Sequence, residues 1–158
     1  MVTAILNCYK RPQYLKEQIE AIKNQTIDVD EIIVWYNKPE DEKQYNISGL
    51  GARVIMCDSN FKFHGRFAAA LLAKSKYVAL FDDDTIPGTK WFENCINCME
   101  THPGIYGSSG VVCETEYYEP NYKVGWNGNP NNEEITEVDL VGHAWFMKRQ
   151  DVEYLWRE

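Results

Sequence analysis

At 158 residues, the chain has the length of one ordinary domain with a single sizeable core. Its composition, 44% hydrophobic and 25% charged, excludes wholesale disorder. The net charge of −8 excludes nucleic acid as the main partner, because a face for phosphate backbones needs clustered Lys and Arg. A small anionic ligand stays compatible with this charge if a metal ion or a few basic residues supply positive charge locally.

Apolar segments alternate with helical patterns in the first two thirds of the chain, which predicts a β/α fold with a mostly parallel sheet. Strands are predicted at 2–6, 31–35, 53–57 and 77–81, and helices from Pro12, over 65–74, and from a cap at Thr89 to about Thr101. The strand at 77–81 contains no charge, so we expect it at the centre of the sheet, covered on both faces.

The pattern changes after Gly104, where short β patterns at 107–113 and 138–148 flank a polar stretch at 114–137. A loop of this length is usually functional or disordered. It contains Tyr122 and Trp126, which either stack on a ring-shaped ligand or pack within the fold. We expect residues 1–158 to form one domain with a β-rich C-terminal part.

The compartment is predicted from what the sequence lacks. No apolar segment has the length of a transmembrane helix, and the N-terminus enters a strand pattern directly. The five cysteines are an odd number, and Cys95 and Cys98 have no second pair at zinc-site spacing. These features predict a reduced, cytoplasmic protein without a transmembrane segment.

Polar residues follow three of the predicted strands: 9–11 after the first, 36–37 after the second, and 82–84 after the fourth. The carboxyl ends of parallel strands share one edge of a sheet, where open α/β sheets bind their ligands. The sequence therefore predicts a ligand site at this edge, with a basic and an acidic side.

The acidic side is the run Asp82, Asp83 and Asp84. In extended backbone, Asp82 and Asp84 would converge while Asp83 faces away. Crowded carboxylates repel one another, and a divalent cation relieves this; hard oxygen ligands suit Mg²⁺ or Mn²⁺. The alternative is an acidic turn that ends a strand in solvent.

The segments that carry these residues resemble, in order, those of nucleotide-diphospho-sugar glycosyltransferases of the GT-A fold, of the family-2 or exostosin-like type. Residues 2–12 (VTAILNCYKRP) are similar to the opening strand and turn, 31–34 (EIIV) to the second strand, and 77–84 (YVALFDDD) to the strand that ends in a D-x-D motif. Asn60, Gly65 and Arg66 match the segment that packs an arginine against the nucleotide. The resemblance covers about residues 2 to 100 and implies a Rossmann-like, mostly parallel sheet flanked by helices.

The resemblance also implies an activity: metal-dependent transfer of a sugar from a nucleoside-diphosphate donor to a hydroxyl of a glycan or other acceptor. Asp84 would be the principal ligand of Mn²⁺ or Mg²⁺, with Asp82 near the metal and the ribose. The other residues implied at the nucleotide sugar are Tyr9, Arg11, Asn37, Arg66 and Asp83. Arg11, Lys62 and Arg66 would supply the local positive charge.

The sequence departs from the family pattern at two places. Tyr36 and Asn37 stand where family-2 enzymes usually carry an Asp for the base, so Asn37 would hydrogen-bond the base and Tyr36 would stack on it. The acidic catalytic base of inverting relatives lies downstream of a segment like 138–149. Within that segment, Asp139 and His143 are the candidates for catalysis, although a histidine on an apolar strand is more often a hydrogen-bonded core residue.

Two other functions stay open at this stage. Phosphatases of the haloacid-dehalogenase type also carry an aspartate-rich turn, with the pattern D-x-D-x-T, but here Thr85 follows Asp84 directly. The other alternative is a non-catalytic or truncated module that binds a nucleotide sugar without turning it over.

Overall fold

The computed structural model describes residues 1–39, 45–113, 120–125 and 135–157. The strands are β1 (Val2–Cys8), β2 (Val29–Tyr36), β3 (Arg53–Met56), β4 (Tyr77–Phe81), β5 (Ser109–Cys113), β6 (Pro120–Val124), β7 (Leu140–Gly142) and β8 (Ala144–Lys148). The α-helices are α1 (Leu15–Lys23), α2 (His64–Ala70) and α3 (Trp91–Thr101). Short 3₁₀ helices occupy Pro12–Tyr14 and Arg149–Trp156.

The main sheet has five strands in the order β3-β2-β1-β4-β8. The first four are parallel, and β8 pairs antiparallel with β4. The chain runs outward from β1 through β2 to β3 and then returns to place β4 on the other side of β1. Strand order therefore reverses between β1 and β4, which is where open sheets of this kind form a ligand crevice.

Both faces of the main sheet are covered, and its two central strands are buried along their whole length. All seven residues of β1 and all five of β4 are buried. Helices α1 and α3 pack on one face, where Ile19, Phe92 and Leu6 belong to one core cluster. On the other face, α2 contributes Ala69 to a second cluster that includes Ile5.

A smaller antiparallel sheet follows, in the order β6-β5-β7. It is joined to the main sheet because β8 follows β7 after a single residue, His143. A bridge between Tyr106 and Phe146, closed by two backbone hydrogen bonds, adds a second connection. Of the polar stretch, 114–119 and 126–134, including Trp126, lie outside the described residues, and only the backbone of Tyr122 is described.

The predicted strands and helices of the first hundred residues are confirmed in kind and order, and the central strand at 77–81 is confirmed to the residue. The prediction of 114–137 as a loop is wrong at Pro120–Val124, which form β6, and the β pattern at 138–148 is divided into β7 and β8. The predicted cap at Thr89 is wrong. The residue before α3 is Lys90, and Gln25 Oε1 accepts the free N–H of Phe92 near the helix start, 3.1 Å away. The carbonyl of Thr89 instead accepts a hydrogen bond from the N–H of Thr26.

Two smaller findings concern the compartment prediction. All five cysteines, at positions 8, 57, 95, 98 and 113, are unpaired. In the part of the chain that the structure describes, no helix is long and apolar enough to cross a bilayer. The cytoplasmic location stays a prediction.

Candidate active site

The candidate site lies where β1 and β4 end side by side. Their register pairs Leu6 with Phe81. Beyond these residues the chain continues into the basic segment ending at Arg11 and the acidic run beginning at Asp82. The two sides of the predicted site therefore meet at the point of strand reversal.

Arg11 joins the two sides of the site. Its guanidinium lies 2.5 Å from Asp83 Oδ1 and forms a second ion pair with Asp84 Oδ2. The hydrogen bond to Asp83, together with the nearby carboxylates, raises the pKa of Arg11 above its usual value. The Arg11 side chain is nevertheless 46% exposed, so it lies at the mouth of the site and can reach a ligand.

Arg66 approaches the acidic run from α2. It lies in the first turn of α2 with its side chain only 8% exposed, and its guanidinium pairs with Asp82 Oδ1. The same guanidinium lies over the ring of Trp145 on β8, 5.6 Å from the ring centre. Arg66 is therefore a buried cation held by a carboxylate and an aromatic face.

The expected convergence of Asp82 with Asp84 is wrong. Asp83 and Asp84 share Arg11, whereas Asp82 turns to Arg66. The strand ends at Phe81, and the next residues form a turn closed by the Thr85 N–H on the Asp82 carbonyl. Because side-chain alternation holds only in extended backbone, it does not continue into this turn.

Gln18 is a residue of the site that the sequence analysis missed. It lies on α1, is fully buried, and donates both amide hydrogens, to the carbonyls of Asp82 at 2.7 Å and Thr85 at 2.9 Å. The available signal was its position within the apolar stripe of α1, between Leu15 and Ile22. A polar residue on a buried helical face must find a partner, and here the partner is the acidic turn.

Residues 36 and 37, which were predicted to contact the base, are both buried in the structure. Tyr36 is 2% exposed and packs in the core against the ring of Tyr45, so the predicted stacking on a base is wrong. Asn37 is also buried. Its amide donates to Asn60 Oδ1 and to the Lys62 carbonyl, and its oxygen accepts the N–H of Phe61. Asn37 thus fixes the loop at 60–62, and its contact with a base stays a prediction.

The candidates for catalysis lie on either side of β7. His143 is half-buried between β7 and β8, has a left-handed backbone with φ of 64°, and accepts the Asp82 N–H on its carbonyl at 3.2 Å. Asp139 is exposed and accepts the N–H of Cys113 at 2.8 Å. His143 therefore adjoins the acidic turn, and Asp139 is bound to the backbone of β5.

Tyr9, the last of the predicted residues, follows β1 directly. It is half-buried, and Lys10 Nζ lies over its ring, 5.0 Å from the centre. Its position next to Arg11 at the crevice agrees with the predicted place, while a contact with the nucleotide stays a prediction.

Asp82 and Asp84 offer hard oxygen ligands of the type that Mg²⁺ and Mn²⁺ prefer. Their side chains are 28% and 35% exposed, so both are reachable from solvent. Within the described ranges, no three His, Cys, Asp or Glu side chains gather into a preformed metal site. The residues thus fit a cation that takes one or two carboxylates and completes its shell with water and phosphate.

A parallel sheet with an acidic turn at its point of reversal is the architecture of the GT-A glycosyltransferases. The sequence model described as glycosyl transferase family 2 matches residues 3–156. The chain therefore belongs to glycosyl transferase family 2. The predicted GT-A fold and the family-2 resemblance are confirmed, and the phosphatase alternative is excluded.

Similar proteins agree with this assignment. The amylovoran biosynthesis glycosyltransferase AmsE of Erwinia amylovora is 26% identical over 122 residues, which cover 72% of this chain and 46% of that protein. S. aureus TarS 1-349 in complex with UDP-GlcNAc has a TM-score of 0.61 at 12% identity, over 98% of this chain and 47% of that one. The mannosyltransferase PcManGT of Pyrobaculum calidifontis, in complex with GDP-Man and Mn²⁺, has a TM-score of 0.58 at 14% identity, over 98% and 46%. The chain thus spans less than half the length of these proteins.

Proposed function

We propose that the chain is the donor-binding domain of a metal-dependent glycosyltransferase, which moves a sugar from a nucleoside diphosphate to a hydroxyl of a glycan or other acceptor. One observation carries the proposal. Arg11, from the segment after β1, and Arg66, from α2, meet the three carboxylates of 82–84 where strand order reverses. We further propose that residues 1–158 act as one unit, because β8 of the main sheet follows β7 of the small sheet directly.

The charges of the site suit a metal together with a diphosphate. Three carboxylates against two guanidinium groups leave one excess negative charge at the turn. A divalent cation with Asp84 as its principal ligand would remove this excess and would stabilise the negative charge of a leaving nucleoside diphosphate. Half-exposed Arg11 can then bind phosphate oxygens, to which its planar fork is suited.

The remaining predicted residues have supporting roles in this proposal. Tyr9 borders the base, Asn37 holds the loop beside it, and Asp83 anchors Arg11. Buried Arg66 keeps Asp82 oriented. Similar structures supply the donors to test: TarS is in complex with UDP-GlcNAc, and PcManGT with GDP-Man and Mn²⁺.

For proton transfer at the acceptor, we favour His143 over Asp139. The carbonyl of His143 binds the backbone of Asp82, so the residue adjoins the metal-binding turn. A left-handed backbone at a residue other than glycine costs free energy and is found preferentially at functional sites. The second candidate function is a module that binds a nucleotide sugar without turning it over.

Calorimetric titration with UDP and GDP, in Mn²⁺, in Mg²⁺ and in EDTA, tests the proposal. We expect binding with either metal and none in EDTA, for at least one of the two nucleotides. Equal affinity with and without metal would refute the metal dependence, and no binding of either nucleotide would refute the donor site. Release of UDP or GDP from UDP-GlcNAc or GDP-mannose then separates an enzyme from a module without turnover.

A further inference from the structure

The loop after β4 is held from one side by α1. Gln18 binds the carbonyls of Asp82 and Thr85, and Gln25 binds the carbonyl of Gly88 at 2.7 Å. Both glutamines are buried, at 0% and 8% exposure; Gln18 lies within α1, and Gln25 lies two residues beyond its end. The two ends of the loop thus have separate supports of the same chemical kind.

Only the first support acts on the acidic turn. Gln18 spans it from the carbonyl of its first carboxylate residue, Asp82, to that of Thr85, which closes it. The orientation of the amide is fixed by chemistry, because the reversed amide would place its oxygen against two carbonyl oxygens. Gln25 instead fixes Gly88 and accepts the Phe92 N–H at the start of α3.

We propose that Gln18 is a positioning residue for metal and donor binding, which holds the backbone of the acidic turn so that its carboxylates are presented at the crevice. This inference rests on the proposed function. Among the described residues, Gln18 is the only side chain of α1 that binds the backbone of the acidic turn. Without the anchor, the turn keeps its carboxylates and its arginines but loses the support that sets their position.

The test compares Gln18→Met with Gln25→Met in the full chain of 158 residues. Met has similar length and no amide, so each variant removes one support without opening a large cavity. We expect Gln18→Met to bind free Mn²⁺, followed by electron paramagnetic resonance, about tenfold more weakly than wild type. Gln25→Met should keep wild-type Mn²⁺ affinity although it loses stability.

Hydrogen exchange by mass spectrometry gives a readout independent of metal. Peptides covering 82–86 should exchange faster in Gln18→Met, and peptides covering 88–92 should exchange faster in Gln25→Met. Should Gln18→Met fail to fold, Gln18→Asn retains an amide that is one methylene shorter, and the same faster exchange and weaker Mn²⁺ binding are expected of it.

The outcomes separate this inference from the proposed function. If wild type binds neither Mn²⁺ nor UDP or GDP with Mn²⁺, the proposed function fails. If wild type binds and Gln18→Met binds equally well, Gln18 has only a structural role and the inference fails. Equal losses of Mn²⁺ affinity in Gln18→Met and Gln25→Met would also overturn it, because both would then report general destabilisation.

Discussion

Replacing Arg66 by Met removes the guanidinium but keeps much of the side-chain length. Arg66 is 8% exposed, and the change leaves the Asp82 carboxylate, at 28% exposure, without its cation. Removing one partner of a fully buried ion pair costs about 3–5 kcal/mol. Because Asp82 keeps some contact with water, we expect a loss of about 2–3 kcal/mol in the free energy of unfolding, to which the lost contact with Trp145 contributes.

Arg11→Met is the matched control. It removes the same chemical group from the same acidic turn, but the Arg11 side chain is 46% exposed. Exposed ion pairs contribute about 1 kcal/mol or less, because water screens both charges. The structure therefore predicts a clear order: Arg66→Met destabilises the protein by at least about 1 kcal/mol more than Arg11→Met.

Urea unfolding at neutral pH measures both losses, and for a chain of this size the larger one corresponds to a decrease of about 4–10 °C in melting temperature. A double-mutant cycle of Arg66→Met with Asp82→Asn should give a coupling energy of about 1–3 kcal/mol. Equal losses for the two arginine variants, or a coupling near zero, would refute the reasoning that burial makes the Arg66 pair the stronger one.

Three further predictions follow from the same structure. Asp84→Ala should abolish Mn²⁺-dependent binding of UDP or GDP in calorimetry with little loss of stability, because one of three crowded carboxylates is removed; unchanged affinity would exclude Asp84 as a ligand. Gly65→Ala should destabilise the fold by about 1–3 kcal/mol in urea unfolding, because its Cβ would lie 2.2 Å from Trp35 Nε1, whereas Gly88→Ala meets nothing within 4 Å and should be nearly neutral. Burial raises the pKa of Cys8 from 9.0 to about 11, so the unfolded thiol ionises first and stability should fall as pH rises from 9 to 11; urea unfolding of Cys8→Ala should show a smaller decrease over that range.

The central sheet could be predicted because its strands are rich in apolar residues, as burial on two covered faces requires. The strand Tyr77–Phe81 has clear limits in the sequence, with Lys76 before it and Asp82 after it. The helix limits were less certain. The prediction placed the end of α2 at Lys74, because residues that favour a helix continue to that point. In the structure, this helix ends at Ala70, where the chain turns toward β4.

Contacts within the site could be predicted only in part, since they depend on which residues meet across the sheet. The residue types at 82–84 indicated a cation site, but their pairing with Arg11 and Arg66 follows from a turn that the strand pattern does not encode. Asn37 illustrates the same limit. Its position after β2 was predicted, whereas its hydrogen bonds go to a loop more than twenty residues later.

Buried Gln18 supports the acidic turn without adding charge to it. Three adjacent carboxylates repel one another, and Arg11 and Arg66 neutralise part of their charge. Gln18 acts on the backbone instead, through two carbonyls, and carries no charge of its own. In the proposed function, the position of the turn depends on α1, while its charge depends on the arginines and on the cation that it would bind. This separation would allow Arg11 to exchange a carboxylate for a phosphate without displacing the residues that would hold the metal.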